Sequence, residues 1–192
     1  MSPSDAFIAF YTLLLGLGMA ALLTGFAGVV RRHRTLEIGA TGLLLSVLII
    51  FEFLTGWSGA TRTFSGSDSN VLTLLLPFGT GACYFLASVL IFPEPGESDQ
   101  DGGVGAYIAS QVRTIAILLF AANLLLIGAE LPFVSAKMPS DPSYFWAFYL
   151  PYNGAILFCY AVMIAAPKRG IAVGAMLGLV MIYAWVTGTS TI

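Results

Sequence analysis

Glu52 interrupts an apolar stretch: residues 43–51 before it hold one serine among leucine, isoleucine, valine and phenylalanine, and Phe53 and Leu54 follow. A carboxyl group in such a run is costly unless it is protonated, paired or beside a wet cavity, so the chemistry open to it is proton exchange or solute selection. Other polar groups recur at helical spacing. Ala109, Ala116, Asn123 and Glu130 follow at seven-residue intervals, which keeps them near one face of a helix. Pro77, Gly81, Tyr84 and Ser88 form a second stripe, and Tyr149, Asn153 and Tyr160 a third. If these faces converge, Glu52, Asn123, Tyr149 and Asn153 line a pathway open to the outer side, and Tyr84 and Tyr160 continue it inward. Asn123 and Asn153 would hydrogen-bond a small polar or weakly acidic solute, Glu52 would accept a proton or set selectivity, and Pro77 and Pro151 would loosen two helix backbones. The competing expectation is that these groups only bond helix to helix and fix packing, at about 0.6 kcal/mol per contact.

The elements that must position them follow from composition. Of 192 residues 58% are hydrophobic and 9% charged, with a mean hydropathy of +0.90, whereas a soluble domain carries roughly a quarter charged residues. Such a chain has lipid as the solvent for most of its outer face. Six apolar runs reach the roughly 20 residues that cross hydrocarbon as helix: residues 7–30, 36–57, 71–92, 107–129, 144–166 and 171–188. The connections, 31–35, 58–70, 93–106, 130–143 and 167–170, carry Gly, Pro, Asn, Asp and charged breakers. The expected fold is an all-α polytopic membrane protein, one six-span domain over residues 1–192. Within it, residues 93–106 form an acidic mobile loop on the cytoplasmic side. The amino terminus has no basic region ahead of the first run, which therefore reads as a permanent span. Glu52 falls about 8 Å outside the midplane of its run at 1.5 Å per residue.

Lysine and arginine set the orientation. Arg31, Arg32, Arg34, Arg113, Lys168 and Arg169 gather on one side and Arg62 and Lys137 on the other, which puts both termini outside. Trp57, Phe133, Tyr144, Phe145 and Trp146 then fall at the outer interface, where amphipathic rings prefer to sit. A prokaryotic plasma membrane is the expected location. Arg113 has a stem long enough to reach the cytoplasmic headgroups.

Several chemistries have no residues to carry them. The single histidine, His33, lies in a connection, so no histidine pair can hold a haem and no His, Cys and carboxylate cluster suggests zinc or di-iron. No span offers the histidine of a Ser–His protease, the paired aspartates of an aspartyl protease, or the lysine of a retinal Schiff base. No Walker-type phosphate loop is present. No enzyme activity and no cofactor are expected. Cys83 and Cys159 sit in apolar runs as small packing residues. A net charge of −2 without a basic patch gives no footprint for nucleic acid.

Two patterns concern assembly. Pro77 precedes Pro93 by the interval that separates Pro151 from Pro167, and Ala9-Phe10-Tyr11, Gly16 and Arg31 match Ala147-Phe148-Tyr149, Gly154 and Arg169 at one offset, which suggests three related hairpins. Gly170, Gly174 and Gly178, with Gly16, Ala20, Ala21 and Gly25, have the small-residue spacing that lets helices approach closely, within the chain or between copies. Six spans, both ends outside and three hairpins resemble the general layout of the amide and urea channels. The resemblance is one of plan, implies passive movement of a small polar solute, and carries no residue over; the acidic loop and the near absence of histidine depart from the acid-gated members. The expected partners are the lipid bilayer and a homo-oligomer or other membrane subunits. The alternative function is therefore a non-catalytic subunit or assembly factor of a larger membrane complex.

Overall fold

A helix satisfies its own backbone N–H and C=O groups within a long apolar run, and every element among the described residues is helical. The computed structural model describes residues 3–31, 40–64, 71–93, 103–137, 142–166 and 168–189. They form α1 (Pro3–Arg31), α2 (Ala40–Phe64), α3 (Val71–Leu90), α4 (Gly103–Lys137), a π-helical segment (Tyr144–Tyr149) that runs directly into α5 (Leu150–Ala165), and α6 (Arg169–Thr189). Among the described residues five helices are long and apolar enough to cross a membrane; in α3 the apolar stretch is shorter, Leu75–Leu90. The fold is thus that of an all-helical chain compatible with multi-pass insertion.

α2 is the hub. It packs against α1, α3, α4 and α6, while the outer helices neighbour one another in the order α1, α3, α4, α5, α6. Its side chains Leu45, Leu48, Ile49, Glu52 and Phe53 are all buried, a spacing of three and four residues that turns one continuous face into the bundle.

Helix ends differ from the expected ones where polar residues find partners instead of water. Residues 58–64, expected in a connection, extend α2: the Thr61 hydroxyl donates to the carbonyls of Trp57 and Ser58, and Ala60 is buried. α4 runs on through Glu130 and Pro132 to Lys137, and begins at Gly103, four residues inside the expected loop 93–106. Gly59 supplies the room that keeps Glu130 in the bundle, since a Cβ there would stand 2.8 Å from the Glu130 Oε1 atom. Ser135 donates back to the Pro132 carbonyl. The acidic residues of that loop, Glu94 to Asp101, and the basic cluster Arg32 to Arg34 lie outside the described residues.

The two prolines occupy unlike places. Pro77 is buried inside α3. Pro151 is exposed at the second position of α5, directly after the π-helical segment. The wider winding shows in the Leu150 N–H, which donates to the Phe145 carbonyl five residues back. The glycines also divide. Gly18 admits the Phe53 ring, whose Cζ would stand 2.7 Å from an added Cβ, and Gly25 admits Phe92. Gly16, Gly170 and Gly174 instead face open space, while Gly178 packs on α5, where an added Cβ would lie 3.7 Å from the Cys159 Sγ atom.

Candidate functional site

Because α2 continues to Phe64, Glu52 stands twelve residues from either helix end, about 18 Å from each at 1.5 Å per residue. In the candidate span Ala40–Thr61 it lies within about 3 Å of the middle at 1.5 Å per residue, against the offset of about 8 Å expected from the sequence. The carboxyl is 1% exposed, at the centre of the hub helix.

Four outer helices each send it a donor. Its Oε2 accepts from the Tyr84 hydroxyl of α3 at 2.8 Å. Its Oε1 accepts from the Tyr183 hydroxyl of α6 at 2.5 Å and from the Tyr160 hydroxyl of α5. The Asn123 amide of α4 divides one hydrogen between both oxygens at 3.2 Å and gives the other to the Leu119 carbonyl at 2.9 Å. A carboxylate offers about four lone-pair sites, so these donors fill it, and none of them is a cation. Tyr84, Tyr160 and Tyr183 are fully buried.

Local sequence aims the hydroxyls. Phe51 and Phe53 flank Glu52, and their rings pack on the tyrosines, Phe51 stacked on Tyr183 with centroids 6.2 Å apart and Phe53 edge-on to Tyr84 at 5.7 Å. One turn along α2, Gly56 leaves room for two phenols: an added Cβ would lie 3.1 Å from the Tyr11 hydroxyl and 3.1 Å from the Tyr84 ring. Tyr11 brings α1 into the cluster, so all six helices meet at one level of the bundle.

A second acid lies about 10 Å along α4 from Asn123, at 1.5 Å per residue. Glu130 packs over Gly59, and the Tyr149 hydroxyl, buried and without a hydrogen bond of ordinary geometry, sits beside its carboxyl. Tyr11 and Tyr152 each stand within electrostatic reach of both Glu52 and Glu130.

Of the residues expected to share a pathway, Glu52, Tyr84, Asn123 and Tyr160 come together. Tyr149 and Asn153 do not join them: Tyr149 belongs with Glu130, and the Asn153 amide returns to the Tyr149 carbonyl of its own helix at 2.9 Å. Ser88, on the α3 stripe, likewise bonds its own helix at Tyr84. Tyr183 and Tyr11 were not among the expected residues. For Tyr183 the one sequence signal was a phenol well inside an apolar run, where a hydroxyl needs a partner that an interfacial one finds in water; Tyr11, near the start of its run, carried no such signal.

The arrangement can hold a proton in two ways. Ionised, Glu52 accepts all four donors. Protonated, it donates to one phenol, which must turn its own hydrogen aside; Tyr160 and Tyr183, together on Oε1 and neighbours of each other, provide that exchange. Both states let Glu52 and the four side chains bonded to it keep hydrogen-bond partners. No known protein family, characterised protein or solved structure matches this chain.

Proposed function

We propose that the chain is an integral membrane carrier for a small polar or weakly acidic solute, in which Glu52 takes up and releases a proton. The observation that carries this reading is the single carboxyl at the centre of α2 on which donors from α3, α4, α5 and α6 converge. An ionised carboxyl ties four helices to the hub, and a protonated one gives up acceptor strength toward all of them. Proton uptake would therefore loosen the contact that holds the ring of helices on α2, which is the coupling a carrier needs. The closed cluster favours a carrier over an open channel. Packing alone would be an expensive use of a carboxyl in hydrocarbon when an amide or hydroxyl would serve.

The same reading takes the chain as six spans in a prokaryotic plasma membrane with both termini outside, on the lysine and arginine distribution. It gives the protein no catalytic role and no cofactor. Purified protein in liposomes with an imposed pH gradient should take up one or more of a panel of small carboxylic acids, amides and polyols, with proton movement in step. Glu52→Gln should abolish the coupled movement. Folded wild-type protein that passes nothing in the panel would defeat the proposal.

A second reading, a non-catalytic subunit or assembly factor, is favoured by the open glycine face of α6, where Gly170 and Gly174 leave space beside the backbone for another helix. Isolation in mild detergent separates the two. Stoichiometric companion proteins, or a homo-oligomer that dissociates on Gly174→Leu, would support the second; a folded protein that migrates alone would count against it.

A further inference from the structure

A cleft of about 400 Å³ opens at the end of the bundle where α5 gives way to α6, lined by parts of α2, α4, α5 and α6. Arg113, Lys168 and Arg169 all line it, and no acid is among its described lining residues. The rest of the wall is apolar apart from Thr41, and includes Met163 and Ala172. This cleft is separate from the Glu52 cluster and plays no part in the proton exchange proposed above.

Three features prepare it for an anion. The Arg169 guanidinium is held in place, its Nε and Nη2 donating to the Thr41 hydroxyl at 3.1 and 2.9 Å. Arg113 and Lys168 are exposed and reach the same space on long stems. α6 begins at Arg169, so the positive end of its dipole opens on the cleft. Three cations on one cleft with no acid among its described lining residues favour a negative occupant. Apolar walls beside the cations fit an anion that has a hydrocarbon stem.

We propose that the cleft binds a phosphate group, that of an anionic phospholipid whose headgroup meets Arg113, Lys168 and Arg169 while its glycerol and upper acyl carbons lie along the Met163 and Ala172 side. A zwitterionic lipid fits less well, because its trimethylammonium group would be brought up to the three cations.

Delipidated protein in detergent, titrated with phosphatidylglycerol or phosphatidylcholine and read by native mass spectrometry, tests the site. A parallel thermal-shift titration uses inorganic phosphate against chloride at matched ionic strength. Wild type should bind phosphatidylglycerol roughly tenfold more tightly than phosphatidylcholine, because only the second brings a positive group up to the three cations. That preference should disappear in Arg113→Gln/Lys168→Gln and persist in Arg31→Gln, which removes a charge outside the cleft. Stabilisation by inorganic phosphate that depends on the same two residues would keep the phosphate site and make free phosphate its ligand. If the double variant does not fold, the two single variants carry the comparison. Equal binding of both lipids with no phosphate effect, or a preference that survives the variants, overturns the proposal.

Discussion

Tyr183→Phe removes one oxygen from the centre of the bundle and leaves the ring, its stacking on Phe51 and the packing volume in place. No cavity forms, so the cost is that of one hydrogen bond to Glu52. Interhelical hydrogen bonds in membrane proteins average about 0.6 kcal/mol, whereas a donor to an ionised acceptor contributes about 1.5–3 kcal/mol. With Glu52 ionised the substitution should cost about 1.5–3 kcal/mol, and with Glu52→Gln as background the cost should fall to about 0.6–1 kcal/mol. The sign with pH follows: an ionised carboxyl is the stronger acceptor, so the cost grows toward alkaline pH and shrinks toward acid. Tyr160→Phe together with Tyr183→Phe leaves Oε1 with only its share of the Asn123 amide, so the pair should cost more than the sum of the singles by at least about 0.5 kcal/mol. Reversible unfolding in mixed micelles, run as a double-mutant cycle at several pH values, measures all of these. A cost below about 0.5 kcal/mol in both backgrounds, flat with pH, would refute the idea that the tyrosines serve an acid that ionises.

Other perturbations read other parts of the structure. Asn123→Asp sets a second carboxyl against Glu52 where the amide now lies 3.2 Å away; two like charges so close cannot both ionise, so folded yield should fall and recover toward acid pH, as size-exclusion profiles across pH would report. Gly18→Ala drives a methyl against the Phe53 ring and should cost about 1–3 kcal/mol, while Gly174→Ala, facing open space, should stay within about 0.5 kcal/mol of wild type in the same unfolding assay. Arg169→Gln gives up both bonds to Thr41 and should lower stability by about 1 kcal/mol, measured in lipid-free detergent so that the loss of the α2–α6 tie is read alone.

Much of the site was legible because hydrocarbon penalises polar atoms. Glu52 and Asn123 stand out in apolar runs for that reason, and Tyr84 and Tyr160 lie on helical stripes that give their helices a polar face. Tyr183 escaped notice because α6 carries no other polar side chain at mid-span, and its glycine spacing drew attention to packing. Asn153 and Ser88 misled in the opposite sense: an amide or hydroxyl can satisfy itself on its own helix, and spacing alone does not separate that from a contact between helices. The ends of α2 and α4 lie beyond the apolar runs because polar residues 58–64, the charge of Glu130 and the ring of Pro132 end those runs without ending the helices. In the bundle their polar atoms, or those beside them, find partners or room on helices. The hub position of α2 had a weaker signal, its one acid, since which helix lies at the centre depends on how all six pack.

Infrared difference spectra of the reconstituted protein, taken between acid and alkaline pH for wild type, Glu52→Gln and Glu130→Gln, reach the buried proton directly. Wild type should show the carbonyl stretch of a protonated carboxylic acid that vanishes on deprotonation, is missing from Glu52→Gln, and moves in frequency when Tyr84, Tyr160 or Tyr183 is replaced by phenylalanine. A wild-type spectrum indistinguishable from that of Glu52→Gln at every pH where the protein stays folded would mean that Glu52 exchanges no proton, and the carrier proposal would fall with it.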